Sequence, residues 1–425
     1  MLQRRLMCTI RTPFSRLVQK TYGTMTTPIP KWSPTFVPIQ SPEHTEVSSS
    51  APLVRIVSYN ILAQSYVKGI SFPHSPSPCL RWKNRSKAVL ERLLSFDADV
   101  LCLQELDEYE SYYKSRLTRE GYSSVYIQRS GRKRDGCGIF FKRSRMELVE
   151  EQVVDFNDLV PPPTEDTPEV PSEDDSQTGS DSVPVNNFKP EQSKSRSRSS
   201  SPVKAGPEVR GDPNDPRVRL KRDCVAILAA FRMLGAPNKF MILGNTHLYW
   251  DPEWADVKLA QARYLLLQIV KFQQGLCSKL DSNPLLLVCG DYNSTPGDQV
   301  YRYITSGSKQ SSTLEGKTDS ILEEKLTNLS LGSSESNRGE EQLPERAPLP
   351  LLSLYEEALG AHPNTNVTPG FTGTLDYIFF RPTDSLRFIN LLALPTRDSP
   401  DLEGGLPNYS HPSDHLPIGA DFAVQ

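Results

Sequence analysis

With 425 residues, of which 37% are hydrophobic, the chain can bury a sizeable core, yet no apolar run approaches the roughly 20 residues of a membrane-spanning helix, so no membrane association is expected. The formal net charge of -3 lacks the basic balance that is typical of nucleic-acid binding, so any RNA-binding surface must be local. Seven cysteines without a CxxC pair indicate a reducing compartment and argue against structural zinc.

The N-terminus is basic. The first 42 residues contain no Asp or Glu but carry six basic side chains, at Arg4, Arg5, Arg11, Arg16, Lys20 and Lys31. Residues 1–50 therefore have the composition of a transit peptide. A disordered basic tail, or translation that begins at Met25, explains the same composition. The expected location is intracellular, either cytoplasm and nucleus or, if this tail is a transit peptide, a mitochondrion or plastid.

Strand-like and helix-like segments alternate through the rest of the chain. Short apolar, β-branched runs predict strands at 55–60, 99–105, 136–141, 239–247, 285–289, 375–380 and 416–422. Apolar residues at helical spacing predict helices at 83–96 and 256–272. This alternation places residues 51–425 in the α/β class as one catalytic domain.

Two low-complexity stretches interrupt the pattern. Residues 157–215 are rich in Pro, Ser and acidic residues and contain an alternating Ser-Arg run, and residues 306–346 are rich in Ser, Glu and Gly. Such segments cannot bury enough apolar surface to fold, so both are predicted to be disordered surface insertions. No sequence repeat of 20–50 residues occurs, which argues against leucine-rich or other solenoid repeats.

Polar residues with catalytic capacity lie at the ends of the predicted strands. They are Asn60, Glu105, His247, Asp291, Asn293, Asp376, Asp414 and His415. Strand ends in layered α/β folds converge at one rim of the sheet, so these side chains are expected to line a single cleft. Any one Asp or Asn in such a place is more often a turn or helix cap. The joint pattern is what favours a site.

The donor atoms of this cleft predict a metal-dependent phosphodiesterase. Carboxylate and amide oxygens are hard ligands that suit Mg²⁺ or Mn²⁺. Two such ions, roughly 3.5–4 Å apart, can activate water, neutralise the phosphate and stabilise the leaving oxygen. Glu105 is the natural primary ligand, and Asp291 can orient or deprotonate water. The imidazoles of His247 and His415 can donate to the developing phosphorane.

Six motifs in a fixed order carry a family resemblance. They are Ser58-Tyr59-Asn60, Leu103-Gln104-Glu105, Asn245-Thr246-His247-Leu248, Gly290-Asp291-Tyr292-Asn293, Leu375-Asp376-Tyr377-Ile378 and Ser413-Asp414-His415-Leu416-Pro417. The set resembles the endonuclease/exonuclease/phosphatase superfamily over Arg55 to Phe422, outside the insertions. The resemblance implies a four-layered α/β sandwich, in which two packed mixed β-sheets are flanked by helices.

Further motifs resemble one branch of that superfamily, the carbon catabolite repressor, nocturnin and Angel deadenylases, with the carbon catabolite repressor type closest. They are Ser58-Tyr59-Asn60-Ile61-Leu62, Arg81-Trp82-Lys83-Asn84-Arg85, Asp135-Gly136-Cys137-Gly138 and Tyr249-Trp250-Asp251-Pro252-Glu253. The branch implies a Mg²⁺-dependent 3′-to-5′ exoribonuclease that degrades poly(A) tails and releases 5′-AMP. A monomer acting on RNA with poly(A) 3′ ends is expected. The missing leucine-rich repeats put docking to a larger deadenylase complex in doubt.

The resemblance also implies residue roles in metal binding. Glu105 would be the principal magnesium ligand and Asn60 a metal or phosphate contact. Asp291 and Asn293 would handle the attacking water and the second metal ion. Asp414 would be a secondary ligand.

Catalytic and substrate-binding roles follow in the same way. Asp376 would orient His415, which would stabilise the phosphate, and His247 would be secondary. Pro252 and Phe371 stand where a Pro and a Phe of the family's deadenylases sandwich an adenine, a contact worth about 1–3 kcal/mol per base. Pro252 also fits a plain helix start, since Asp precedes it.

The sequence allows two interpretations of two basic residues, and it allows two further functions. Lys133 and Arg134 can contact phosphate, or they are solvated surface charges. A nocturnin-like phosphatase acting on NADP would use the same site but would need basic residues around the cleft, where the helix after Pro252 offers Asp256 beside Lys258. A non-catalytic RNA-binding regulator is the third alternative, and the filled catalytic positions argue against it.

Overall fold

The structure is a computed structural model, and it describes residues 32–39, 51–162, 212–307 and 343–425. The strands are β1 (Phe36–Pro38), β2 (Leu53–Asn60), β3 (Val100–Gln104), β4 (Tyr122–Gln128), β5 (Gly136–Lys142), β6 (Met146–Asp155), β7 (Val225–Met233), β8 (Ala236–His247), β9 (Leu285–Asp291), β10 (Leu352–Ser353), β11 (Asn366–Thr368), β12 (Phe371–Gly373), β13 (Asp376–Phe380), β14 (Leu386–Leu392) and β15 (Ile418–Val424). The α-helices are α1 (Ser77–Leu80), α2 (Trp82–Ser95), α3 (Lys114–Arg119), α4 (Pro216–Arg219), α5 (Ala255–Leu280), α6 (Gln299–Ser306) and α7 (Leu354–Leu359).

These strands form two large mixed sheets and one small hairpin. The first sheet has seven strands in the order β1-β14-β15-β2-β3-β5-β4, and the second has six in the order β10-β13-β9-β8-β7-β6. In each sheet one central pair is parallel, β2 with β3 and β8 with β9. The pairs that flank them are antiparallel. β11 and β12 pair separately.

Alternating side chains divide the core into layers. Ile56 of β2 and Leu243 of β8 belong to the apolar cluster between the two sheets. The preceding residue on β8, Ile242, packs instead with the buried face of α5. Val57 points the other way from Ile56 and packs with α2. The order helix, sheet, sheet, helix confirms the predicted four-layered α/β sandwich.

Strand register places the functional residues at one rim. Because β8 and β9 are parallel, His247 and Asp291 end their strands as direct partners. Antiparallel β13 begins at Asp376, opposite the same Asp291. Close strand approach here requires glycine before Asp291, because a Cβ on Gly290 would lie 2.3 Å from the carbonyl oxygen of Thr246.

A buried polar network joins the two sheets just below this rim. The Gln104 side-chain amide donates to Ser58 Oγ at 3.1 Å and to Asn245 Oδ1 at 2.7 Å. Asn245 donates across to the carbonyl oxygens of Leu103 and Gly138, both at 2.9 Å. Gln104 precedes Glu105 and Asn245 lies two positions before His247, so the network fixes the spacing of residues that the site uses.

The predicted segment boundaries differ from the structure at several edges. Residues 36–38, assigned to the N-terminal tail, form β1 against β14. The first and last residues of each predicted insertion belong to the folded domain. Asn157 donates to Asp223 Oδ1 at 2.9 Å. The Pro344 carbonyl oxygen accepts from Tyr303 Oη at 3.0 Å. The remaining insertion residues, 163–211 and 308–342, and tail residues 1–31 and 40–50 lie outside the described residues. Within the described ranges, no helix is long and apolar enough to cross a membrane.

Asn245→Ala should lower the free energy of unfolding by about 2–3 kcal/mol, because it deprives buried hydrogen-bonding groups of the first sheet, on Leu103, Gln104 and Gly138, of their partner in the second sheet. Urea unfolding followed by circular dichroism measures this. Asn84→Ala is the matched control, since its amide donates to Pro78 in an exposed setting, and its effect should stay within about 0.5 kcal/mol. Equal losses for the two variants would contradict a role of Asn245 in holding the sheets together.

Candidate active site

Asn60 bridges the two sheets at the rim. Its side-chain nitrogen donates to Glu105 Oε1 at 3.2 Å and to Asp291 Oδ2 at 2.9 Å. Its side-chain oxygen accepts from the backbone N–H of Leu62 at 3.0 Å. The amide therefore has a fixed orientation, and the carboxylates of β9 and of the residue after β3 meet at one point.

Two of the site residues have strained backbones. Glu105 has φ of 55° and Asn293 has φ of 47°, in the left-handed region that non-glycine residues avoid. Glu105 Oε2 accepts from the backbone N–H of Ala63 at 2.9 Å, and the N–H of Asn293 donates to Asp291 Oδ1 at 2.9 Å. Such conformations cost about 1–3 kcal/mol each and persist where the surroundings enforce them, which occurs most often at functional sites.

Negative charge is concentrated around Glu105. Burial and the nearby carboxylates of Asp414 and Asp135 raise the pKa of Glu105 to about 8. Deprotonating a carboxyl in this place requires a compensating positive charge. The donors of Glu105, Asp291 and Asp414 are carboxylate oxygens, which suit a hard divalent cation, so the residues present fit the predicted Mg²⁺ or Mn²⁺. Asn60 turns its nitrogen toward these carboxylates, and its oxygen accepts from Leu62.

Asp376 and His415 form a hydrogen-bonded pair. His415 Nδ1 lies 2.7 Å from Asp376 Oδ2, and Nε2 lies 3.6 Å from Asp291 Oδ2. Burial alone would lower the pKa of His415, but the charges of Asp376 and Asp291 raise it well above its usual value. These two carboxylates therefore favour the protonated form of His415, which presents one N–H to the cleft. The predicted Asp376–His415 contact is present.

His247 differs from His415 in charge. Its Nε2 lies 3.5 Å from Asp291 Oδ2, and Nδ1 has no hydrogen-bond partner. Burial lowers the pKa of His247, and the charge of Asp291 offsets that only in part. The two imidazoles on either side of Asp291 thus differ, one neutral and one protonated.

Donor atoms of Asp291, Asp376 and His415 lie within 4.8 Å of one another, close enough to share a metal ion. Asp376 Oδ2 and His415 Nδ1 already share a hydrogen bond, whereas Asp376 Oδ1 has no hydrogen-bond partner among the described residues. The oxygens around Glu105, where burial and the carboxylates of Asp414 and Asp135 raise the pKa, offer a second candidate place for a cation.

The segment that carries Asp414 and His415 is tied to the end of β2. Ser413 Oγ donates to the Asn60 carbonyl oxygen at 2.7 Å. Arg85 of α2, which is buried, donates to the carbonyl oxygens of Ile61 at 2.9 Å and Pro412 at 3.4 Å. The Arg85 contacts give a structural reason for the Arg81-to-Arg85 motif.

Asp135 is a site residue that the sequence analysis did not single out, although it lies in one of the motifs quoted there. It is fully buried at the start of β5, where it accepts from the Tyr66 hydroxyl and lies 3.5 Å from Arg129 Nη1. Its charge acts on Glu105. A buried carboxylate directly before a strand was the available signal.

The β11–β12 hairpin contacts the His415 segment and carries Phe371 at its turn end, opposite Thr368. An isolated antiparallel bridge joins Asn366 of the hairpin to His415, and the Val367 N–H donates to the Asp414 carbonyl oxygen at 3.1 Å. Phe371 begins β12 and is 39% exposed, an unusual position for a large aromatic side chain. Its ring is therefore free to contact a ligand.

Pro252 is exposed on the segment that follows His247. It begins the 3-10 helix Pro252–Trp254, and Asp251 Oδ1 accepts from the Glu253 N–H at 3.0 Å. The helix-start interpretation is thus correct for this segment, and it fixes where Pro252 lies. The structure records no contact between Pro252 and Phe371.

The two basic residues before Asp135 differ in position. Lys133 Nζ lies 6.0 Å from the centre of the Tyr66 ring, whose hydroxyl donates to Asp135, so Lys133 lies near the rim. Arg134 is exposed, and no contact recorded in the described ranges joins it to the site.

Comparison with known proteins gives consistent matches across the chain. The Endonuclease/Exonuclease/phosphatase family matches residues 57–415. Carbon catabolite repressor protein 4 homolog 4 of Arabidopsis thaliana is 46% identical over 372 residues, covering 87% of this chain and 78% of that protein. The CCR4-Not complex 3'-5'-exoribonuclease subunit Ccr4 of Neosartorya fischeri is 26% identical over 417 residues, covering 88% of this chain and 47% of that protein. The chain spans about half the length of that fungal relative.

Solved structures show the same architecture. ANGEL2, a 2',3'-cyclic phosphatase solved in complex with adenosine-2',3'-vanadate, matches with a TM-score of 0.61 and 26% identity, over 92% of this chain and 99% of that one. The human Nocturnin catalytic domain matches with a TM-score of 0.54 and 21% identity, over 94% of this chain and 100% of that one. The second likeness concerns the fold alone.

His415→Ala and Asp376→Ala should each lower kcat by about 10²–10⁴-fold, because the protonated imidazole is lost or loses its partner. The double variant should be little worse than His415→Ala, since residues that act as a unit are not additive. Steady-state kinetics on an oligonucleotide measures this, with circular dichroism to verify folding. Multiplicative losses would show that Asp376 does not act through His415.

Proposed function

Because the chain belongs to the Endonuclease/Exonuclease/phosphatase family, we propose that it is a Mg²⁺-dependent 3′-to-5′ exoribonuclease that removes AMP from poly(A) tails. The observation that carries the proposal is the junction at Asn60, where oxygen donors crowd together beside a protonated His415. This set fits a phosphodiester and its metal ion. The relatives named as Ccr4 exoribonuclease subunits support RNA as the substrate class.

In this proposal different residues bind the metal ions, orient the attacking water and contact the phosphate. Glu105, Asn60, Asp291, Asn293 and Asp414 would hold one or two ions of Mg²⁺ or Mn²⁺, which when bound neutralise the phosphate and favour ionisation of water. Asp291 is the residue proposed to orient the attacking water, because Asn60 and the Asn293 N–H hold its two oxygens in place.

The imidazoles act on the phosphate. His415, held by Asp376, donates its Nε2 proton as a hydrogen bond to a non-bridging oxygen, where negative charge grows in the transition state. His247 is neutral and adds a second polar contact from the opposite side of Asp291. Lys133 adds charge at the rim, and Arg134 extends that charge outward.

Adenine preference is proposed to come from stacking. Metal and phosphate contacts carry no base information, so selectivity depends on groups that touch the base. Phe371 is exposed on a hairpin bonded to His415, and Pro252 follows His247 at a fixed helix start. A base between them would leave its phosphate within the cleft.

A second activity, removal of a 2′,3′-cyclic phosphate, is favoured by the likeness to ANGEL2, which covers 92% of this chain. The same cation and imidazole could open a cyclic diester at an RNA 3′ end. NADP phosphatase action is the weaker alternative, because Arg219, a basic residue near Pro252, is already paired with Asp256 at 2.6 Å. A purely RNA-binding role would not explain why the carboxylates of Asp414 and Asp135 are concentrated around Glu105.

The proposal also covers the domain organisation, the oligomeric state and the location of the protein. Residues 51–425, together with strand β1, make up one catalytic domain that acts as a monomer, and residues 163–211 and 308–342 are insertions outside its chemistry. The cytoplasm and nucleus are the proposed location. An organelle is the alternative that the composition of residues 1–50 leaves open.

A substrate panel tests the proposed activity. Purified protein with Mg²⁺ is incubated with 5′-labelled oligo(A), oligo(U), oligo(A) ending in a 2′,3′-cyclic phosphate, and NADP. We expect stepwise shortening of oligo(A) from the 3′ end with release of 5′-AMP, faster than for oligo(U). Glu105→Gln, which keeps the shape but removes the charge, is the inactive control. Faster turnover of the cyclic end or of NADP would replace the proposal with that activity.

Phe371→Ala should lower kcat/KM on oligo(A) by about one to two orders of magnitude, equivalent to about 1–3 kcal/mol of stacking. A small phosphodiester without a base should be hydrolysed at an unchanged rate, and the preference for A over U should narrow. Phe371→Trp preserves a stacking surface and should retain most activity. An equal loss on substrates with and without a base would show that Phe371 supports the fold instead.

A further inference from the structure

A second concave surface lies between α5 and α6, outside the cleft described above. It has a volume of about 450 Å³ and is lined by Leu259, Arg263, Gln299, Arg302, Tyr303, Ser306, Glu345 and Arg346. That volume is within the range of about 300–1,000 Å³ in which small ligands bind. We call it the arginine groove.

The charge of the arginine groove is positive. Three guanidinium groups line it, against the single carboxylate of Glu345. In the part of the chain that the structure describes, no ion pair joins Arg263, Arg302 or Arg346 to a carboxylate. Arg302 and Arg346 are exposed. In a protein of net charge -3, such a cluster is a local exception.

One aromatic ring lies in the groove and is held in place. Tyr303 donates through its hydroxyl to the carbonyl oxygens of Pro344 at 3.0 Å and Arg346 at 3.3 Å. The guanidinium carbon of Arg263 lies 5.6 Å from the centre of the ring. Among the described residues, buried Arg263 Nε has no hydrogen-bond partner. Tyr303 is only 7% exposed, so its ring forms part of the floor of the groove, and the exposed guanidinium groups are the part that can contact a phosphate backbone.

Both helices that line the arginine groove begin close to the catalytic rim. Lys258 of α5 donates to the Asn293 carbonyl oxygen at 2.7 Å, so the start of α5 is joined to the site. With a rise of 1.5 Å per residue, Arg263 lies about 7.5 Å further along α5 than Lys258. On the other wall, α6 begins at Gln299, six positions after Asn293.

We propose that the arginine groove binds the phosphate backbone of the RNA upstream of the nucleotide being removed. The inference rests on the proposed nuclease function and deepens it. Arg302 and Arg346 would contact successive phosphates, and Arg263 with Tyr303 would form the floor. The groove makes no contact with the scissile phosphate, so it contributes to the binding of longer RNA and not to chemistry.

The test compares RNA lengths in an Arg302→Gln/Arg346→Gln double variant. Binding of a 15-nucleotide oligo(A) is measured by fluorescence anisotropy in a Glu105→Gln background, across a range of salt concentrations. We expect at least a tenfold weaker Kd and a salt slope that is smaller by about 0.7 for each phosphate that the variant no longer neutralises. With Glu105 intact, kcat/KM on a trinucleotide should be unchanged by the double variant, and on the 15-mer it should fall at least fivefold.

The matched control removes two arginines on the first sheet side, by Arg119→Gln and Arg387→Gln, at the same change in net charge. It should leave the Kd within about twofold and the salt slope unchanged. If both double variants bound the 15-mer equally weakly, the loss of affinity would be explained by net charge alone, and the proposal would be overturned. An unchanged Kd in the groove variant would overturn it as well. If the parent protein fails to bind or shorten RNA, the proposed nuclease function itself fails.

Discussion

The hydrogen bonds of the Asn60 amide hold the two halves of the site together. Glu105 belongs to the first sheet and Asp291 to the second, and one side-chain nitrogen donates to both. This places two carboxylates close to each other at the rim, where burial and further carboxylates already disfavour charge on Glu105. The rest of the site can be understood as a consequence of this concentrated negative charge.

That charge has a cost in the metal-free protein. The folded-state pKa of Glu105 is raised to about 8. The neutral carboxyl therefore contributes to the free energy of unfolding fully below the ordinary carboxyl pKa, and this contribution is lost as the pH rises through about 8. A cation bound beside Glu105 reverses this loss. His415 illustrates the opposite case, because Asp376 and Asp291 keep it charged despite burial. The strained backbones of Glu105 and Asn293 also fit a site that the fold enforces.

The sequence predicts the central parts of the fold and most of the site because these parts carry strong local signals. Buried strands such as β9 read as apolar runs, and the polar residue at each strand end follows directly. Edge strand β6 is not among the predicted strands, since Glu147, Glu150 and Glu151 interrupt its apolar pattern. Inner strand β7 is missing from the prediction as well, although Val225 to Phe231 is a continuous apolar run. Asp135 was not singled out because its partners, Tyr66 and Arg129, are brought to it only by tertiary packing. The arginine groove depends on how α5 and α6 pack, which no local pattern indicates.

The most direct test of the central claim is the thermal unfolding of the wild type and Glu105→Gln, each with and without Mg²⁺, at a pH above the Glu105 pKa of about 8. Bound metal should stabilise the wild type by about 2.7 kcal/mol at a hundred times its Kd, and so raise its Tm. Metal-free Glu105→Gln should melt no lower than metal-free wild type, and Mg²⁺ should leave its Tm unchanged. A wild-type Tm that is unchanged by both Mg²⁺ and Mn²⁺ would contradict a cation site built around Glu105. A Tm of Glu105→Gln that rises with metal as much as the wild-type Tm would contradict it as well.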